Sequence, residues 1–253
     1  MVKMRFSPLL LLTALSLILS GPVQAQNDPA NRNKSEAKTQ PSGEQAKQQS
    51  AANDPFFSAY LKLAESGDLR AQAALGTLHL RRDMEYYSPK SAFNWFNKAA
   101  RGGNKLAQFN LGDLYQKGIG VQQNDQEALH WFLEAVEPEE KGQSGLSSEM
   151  LAWCQLKLGL IYYHGKGAPV DDRKALDWFK KITPDNHAYA QYMVGLMHAQ
   201  GRGVDKDLQK AFHWFSAAAA QGLQLAQEEL VQLTNRPDIL QAEHQPSTTN
   251  KTI

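Results

Sequence analysis

The sequence predicts an all-α solenoid of stacked helical hairpins, and three observations carry that prediction. The dipeptide Trp-Phe occurs at Trp95-Phe96, Trp131-Phe132, Trp178-Phe179 and Trp214-Phe215, at intervals of 36, 47 and 36 residues. An aliphatic residue followed by glycine occurs at Leu75-Gly76, Leu111-Gly112, Leu158-Gly159 and Val194-Gly195, at the same intervals. An alanine stands three residues before each Trp (Ala92, Ala128, Ala175, Ala211). Four residues before each alanine stands a helix N-cap type: Ser88, Asn124, Asp171 and Asp207. Independent markers on one rhythm define an internal repeat. The long interval is the short one plus an insertion, placed in 137–148.

Each unit reads as two helices. In the second unit, helix A covers Leu106 to Lys117, with Ala107, Leu111, Leu114 and Tyr115 on one face. A glycine inside a helix is unfavourable by about 1 kcal/mol against alanine. The recurrence of Gly112 and its equivalents therefore predicts a neighbouring backbone too close for a Cβ. Helix A should stop at Gly118-Ile119-Gly120-Val121, Gly165-Lys166-Gly167 and Gly201-Arg202-Gly203-Val204, where glycine suits a left-handed terminus. None of these runs is followed by the Lys-Ser/Thr that a phosphate cradle needs. Helix B opens at the N-cap residues. Pro89 suits the first helical position after Ser88, and Asn124 with Glu127 has capping-box spacing. Phe56 to Ala71 reads as a lone helix B at one end of the array. Ala226-Gln227 restarts helix A at the other, as altered terminal units require.

The organisation that follows is a secretory signal at 1–25, a linker at 26–54, a repeat domain at 55–235 (repeats near 71–106, 107–153, 154–189 and 190–225) and a polar tail at 236–253. Lys3 and Arg5 precede an apolar run from Leu9 to Leu19, and Val23-Gln24-Ala25 offers a cleavage site before Gln26. The run is short of the roughly 20 residues of a membrane span, so a periplasmic or secreted protein with no span after cleavage is expected. The linker carries no aromatic, Leu, Ile or Val between Gln26 and Asn53, too little apolar surface to offset ordering entropy.

Charge and cysteine content exclude several function classes. The chain has 27 Lys and Arg against 26 Asp and Glu. Loss of Lys3 and Arg5 would leave 25 basic residues against 26 acidic. That balance argues against a nucleic-acid partner. One cysteine, Cys154, permits neither an intramolecular disulfide nor a four-thiolate zinc site. It falls where Ala71, Ala107 and Ala190 stand, a slot for a small hydrophobe.

The segment 107–121 (AQFNLGDLYQKGIGV), followed by Glu127 to Phe132 (EALHWF), resembles a Sel1-like repeat, a relative of tetratricopeptide repeats. Gly201 to Trp214 resembles it as closely. Arg81 to Tyr87 departs from the pattern by lacking the Gly-x-Gly-Val turn. The resemblance implies a right-handed superhelix of hairpins with helix A lining a concave surface. It also implies a non-catalytic adaptor or scaffold of the bacterial cell envelope that binds a protein or peptide, with no cofactor and no metal.

In the tetratricopeptide register, five helix-A positions per repeat face the groove. These place Trp153, Leu156, Leu160, Tyr163 and His164, with Tyr189, Tyr192 and Leu196, in an aromatic C-terminal half. Phe109 falls in the second unit, and Arg70, Arg81 and Lys117 form a basic shoulder. Buried aromatics anchor docked peptides, although such a stripe is also what core packing produces. Gln72, Gln108, Gln155, Gln191 and Gln227 share one repeat position and predict a polar ladder between A helices. The insertion is a second candidate surface. No His-Glu-x-x-His or Gly-x-Ser-x-Gly pattern appears. An envelope enzyme of cell-wall or β-lactam chemistry and a structural spacer are the alternatives.

Overall fold

A computed structural model describes residues 54–138, 145–184 and 187–235. The expected signal, most of the linker and the tail lie outside those residues, as does the middle of the insertion. Among the described residues every regular element is a helix. The lone helix α1 (Pro55–Glu65) comes first. Four hairpins follow: α2 (Leu69–His79) with α3 (Pro89–Arg101), α4 (Lys105–Lys117) with α5 (Asp125–Val136), α6 (Ser148–His164) with α7 (Asp172–Ile182), and α8 (Ala188–Gln200) with α9 (Leu208–Ala220). The lone α10 (Gln224–Thr234) closes the array. Each helix packs on its chain neighbours, the quasi-one-dimensional arrangement of a solenoid.

The two sequence markers are the halves of one contact. A Cβ on Gly112 would stand 2.8 Å from Cε1 of Phe132, and one on Gly195 would stand 2.8 Å from the Phe215 ring. Gly76 faces Phe96 and Gly159 faces Phe179 in the same way. The four phenylalanines are fully buried. The sequence led to the expectation of a backbone neighbour at these glycines. The first neighbour is instead the aromatic ring of the same hairpin, with backbone second: a Cβ on Gly112 would meet the Ala128 carbonyl oxygen at 3.2 Å.

All four expected helix-B caps are formed. The side chains of Ser88, Asn124, Asp171 and Asp207 accept from backbone N–H groups of the first turn. The Asn124–Glu127 capping box is not formed reciprocally, because the Asn124 N–H donates to the carbonyl of Tyr115 at 3.0 Å. That bond recurs in every hairpin: Ser88 N–H donates to His79, Asp171 to Tyr162 and Asp207 to His198. It ties the start of helix B to one fixed position of helix A.

The turn glycines act in two different ways. Gly118, Gly165 and Gly201 end helix A in the left-handed region at φ 67°, 72° and 73°. The second glycines, Gly120, Gly167 and Gly203, press on the preceding repeat. A Cβ there would collide with the carbonyl of Pro89, Asp125 or Asp172, each at the start of the previous helix B. In the first repeat the turn lacks this pattern, and Tyr86 is buried there instead. Its carbonyl accepts from His79 Nδ1 at 2.9 Å, and its hydroxyl donates to Asp54 at 3.3 Å.

The glutamine ladder is replaced by a different device. Gln72 Nε2 donates to the Ala64 carbonyl at 3.0 Å, and Gln108 Nε2 to the Ala100 carbonyl at 3.2 Å. Gln191 Oε1 accepts from Gln221 at 2.7 Å. The first two bonds staple helix A to the C-terminal carbonyls of the preceding helix B. Free carbonyls at a helix end need such partners, which explains the position better than glutamine–glutamine stacking does.

Candidate functional site

The positions assigned to the aromatic groove fall into four groups. Leu156 is buried in the core, so it is withdrawn from any contact surface. Trp153, Leu160, Tyr163, Tyr189, Tyr192 and Leu196 are half-buried against the core of the third and fourth hairpins. Phe109 packs against Phe132, with ring centroids 6.0 Å apart, and belongs to the second hairpin's core. His164 is exposed, with its ring 5.0 Å from that of Tyr163.

Within the second group, Tyr189 and Tyr192 are 5.9 Å apart by ring centroid, and Tyr192 lies 5.7 Å from Phe215. Tyr192 is thus partly structural, packed against the cores of both the fourth hairpin and the closing helix. Tyr163 is held on two sides. Its hydroxyl donates to Gln200 at 3.2 Å, and the Arg202 guanidinium sits over its ring at 3.7 Å. Arg202 in turn bonds Asp172, with its Nε 2.9 Å from Oδ1.

The basic shoulder carries less free charge than the sequence implies. Arg81 pairs with Asp83 at 2.7 Å, and Lys117 pairs with Asp113 at 2.6 Å. Lys157, which the register had not placed on the groove, bridges the second and third A helices. Its ammonium reaches Asp113 at 3.2 Å and Gln116 at 2.6 Å. A lysine one residue before Leu158 gives no sign in sequence of a partner 44 residues away.

The insertion returns across the N-terminal units. Gly145, Leu146, Ser147 and Met150 line a cavity of about 320 Å³ with Arg70, Ala73, Asn104 and Leu106. Arg70 is the first residue of the basic shoulder that the tetratricopeptide register assigns to the groove, and Ala73 and Leu106 take groove positions of the first two repeats in that same register. Helix α6 is therefore longer than its equivalents, starting at a new cap, Ser147, whose hydroxyl accepts from Met150 N–H. A second depression, of about 610 Å³, lies along the turns Gln123–Gln126 and Gly165–Pro169. Its Asn124 side chain is already committed to capping.

His187 caps α8, with Nδ1 accepting from the Ala190 N–H at 3.3 Å and the ring edge-on to Trp153 at 5.6 Å. Only a neutral imidazole can accept in this way. Burial lowers its pKa below the ordinary value, outweighing the backbone bond that raises it. A lowered folded pKa means stability that is present above the unfolded value, near 6.5, and lost as pH falls from there through the folded value. His187→Asn keeps a good cap without the titration. Its melting temperature should fall less than the parent's between pH 8 and pH 5, with an advantage of up to about 1 kcal/mol at the acid end. Equal acid sensitivity in denaturation series would show that the cap does not titrate.

Cys154 is fully buried, and its thiol donates to the Phe132 carbonyl at 3.3 Å. Burial pushes its pKa up to about 12, which keeps it protonated and unreactive. Buried His79 donates from Nδ1 to a carbonyl, and His198 stands at the equivalent point of the last hairpin. Among the described residues no group of three His, Cys, Asp or Glu is placed to hold a metal. No helix among them is long and apolar enough to cross a membrane.

The Sel1 repeat family model matches residues 69–104, 105–137, 154–182 and 188–223. Among solved structures, the chain is similar to a protective antigen present in uropathogenic Escherichia coli strains that displays an SLR fold. The TM-score is 0.58 at 27% identity, over 68% of this chain and 34% of that one. It is similar also to a Sel1 repeat protein from Oxalobacter formigenes, with TM-score 0.56 and 28% identity, over 74% of this chain and 66% of that one. The chain thus spans about a third of the first relative and just under two thirds of the second. No curated protein matches it.

Proposed function

Because the chain belongs to the Sel1 repeat family, whose arrays are in general protein–protein interaction modules, we propose that it is a non-catalytic adaptor of the bacterial cell envelope. It is exported by the signal at 1–25 and holds a protein or peptide partner on its helix-A surface. The observation that carries this reading is the row of half-buried rings, Trp153, Tyr163, Tyr189 and Tyr192, along two adjacent A helices. Rings that are pre-positioned by packing lose little entropy when a partner covers their remaining faces. Two bacterial relatives with the same fold support the source.

A second surface has its own support. The cavity under the insertion brings apolar Leu146, Met150 and Leu106 beside Arg70, a pocket for an apolar side chain next to an acidic group. Two double variants separate the readings: Trp153→Ala with Tyr189→Ala, and Leu146→Ala with Met150→Ala. Each is used as bait in an envelope extract beside the parent, with circular dichroism to confirm equal helicity. Loss of the captured protein with the first pair alone supports the aromatic surface, and loss with the second alone moves the site to the insertion. Capture that survives both, or no capture, removes the helix-A surface as the site. Recovery of a chain beginning at Gln26 from the periplasm or medium would establish export. Retention of Met1 would refute cleavage.

A further inference from the structure

Helix α1 is a helix B without its helix A. Its register is fixed by bonds shared with the complete repeats. Gln72 reaches the Ala64 carbonyl as Gln108 reaches Ala100. Asp68 N–H donates to Leu63 as Asn104 N–H donates to Ala99. Gly67 and Gly103 share a positive φ, 97° and 91°. In this register Phe56 stands where Ala92 stands, Tyr60 where Phe96 stands, and Leu63 where Ala99 stands. Those positions in the complete repeats are covered by the partner A helix. Ala92, Phe96, Ala99, Ala128, Phe132, Ala175, Phe179, Ala211, Phe215 and Ala218 are all 0% exposed. In α1, Phe56 is 79% exposed, Tyr60 41% and Leu63 53%.

This face is not a solvent-adapted cap. A terminal helix that merely ended the array would carry polar residues here. It carries two aromatics and a leucine at helical spacing, in line with each other and larger than the residues they replace.

We infer that this face is a docking site for an amphipathic helix of a partner protein, which stands where helix A stands in the four hairpins. The hairpins define the chemistry of that helix. Opposite the ring at the Phe96 position, every hairpin places a glycine, because a Cβ there would meet the ring at under 3.0 Å. The partner helix therefore presents glycine or another very small residue between Phe56 and Tyr60, flanked by aliphatic residues. With the signal at 1–25 removed, as proposed above, the preceding segment of the chain cannot supply it, since residues 26–53 contain no aliphatic residue larger than alanine. A second copy fits poorly too. The free helix A of this chain, α10, has Val231 in the glycine seat, and two α1 faces would oppose large side chains to large. The three side chains leave roughly 300 Å² in water, short of the about 800 Å² per partner of a stable dimer. The site is separate from the surfaces proposed above and stands whether or not they bind.

The test uses the chain's own helix A as probe: a labelled peptide of residues 104–118, and the same peptide carrying Gly112→Val. The full-length protein should bind the first saturably in fluorescence anisotropy. Affinity should drop about tenfold or more for the valine peptide, and likewise for a Tyr60→Ala, Leu63→Ala protein of unchanged helicity. Amide exchange in α1 should slow when peptide is bound. Binding that ignores both changes, or no binding, would overturn the proposal. So would sedimentation as a dimer that Tyr60→Ala, Leu63→Ala dissolves, because the face would then be taken by a second copy.

Discussion

Phe132→Ala is expected to cost about 3–5 kcal/mol of stability, and the same substitution should reverse the sign of a second one, Gly112→Ala. The first figure is that of emptying a fully buried aromatic site. In the parent, Gly112→Ala places a methyl 2.8 Å from the Phe132 ring. That overpacking costs about 1–3 kcal/mol and outweighs the gain of about 1 kcal/mol from replacing a mid-helix glycine. Once the ring is gone its clash is gone, and against the helical gain stands only the 3.2 Å approach to the Ala128 carbonyl oxygen, which a shift of a few tenths of an ångström into the emptied space relieves. Gly112→Ala should then stabilise the Phe132→Ala protein. Urea denaturation of the four proteins of the cycle measures this directly. If Gly112→Ala has one sign in both backgrounds, the ring is not what keeps the glycine.

The second large effect separates two glycines two residues apart. Gly118 and Gly120 both have positive φ, 67° and 72°. Alanine at either is strained by about 1–2 kcal/mol. At Gly118 a Cβ would find Gln123 at an ordinary 3.4 Å, so strain is the whole cost. At Gly120 it would strike the Pro89 carbonyl of the preceding repeat and approach Lys90 N at 2.9 Å, and backbone cannot turn aside. Gly120→Ala should cost about 2–5 kcal/mol, and the loss falls on the junction between repeats. In an array held by nearest-neighbour terms, a weakened junction divides one cooperative transition into two. Calorimetry should show a single broadened or split endotherm for Gly120→Ala and a simple downward shift for Gly118→Ala. The same contrast is expected between Gly201 and Gly203. Equal losses at both members of a pair would refute the junction role.

The fold was legible because each hairpin is fixed by residues that cannot be exchanged freely. A ring that needs a glycine, and a cap that needs an oxygen-bearing side chain, leave marks at fixed spacing. The caps of helix A were harder to read. Asp68 and Asn104 cap α2 and α4, but the same slot holds His187 before α8, and Leu223 before α10 makes no side-chain bond. Four residue types in one slot make no pattern. The glutamines kept their position while their role was misread, since sequence names the donor and not the carbonyl it finds.

The candidate site was legible only as a list of positions. Whether Leu156 is covered and Trp153 half-open depends on side chains of the next repeat, which periodicity does not weigh. Lys157 and the return of the insertion over Arg70 and Leu106 join residues far apart in the chain, with no local signature. An insertion announces its length in sequence and leaves its direction unstated.

The contact between each second turn glycine and the preceding helix also makes the array a mechanical element. Pro89 on Gly120, Asp125 on Gly167 and Asp172 on Gly203 are backbone-on-backbone stops that fix how far each hairpin can rotate toward the one before it. Such stops resist compression and closing twist much more than extension. A load drawing the ends apart meets only side-chain packing at the junctions, so the molecule should yield one junction at a time under tension and stay stiff when squeezed. An adaptor with that asymmetry would hold a partner at a minimum distance while tolerating being stretched toward it.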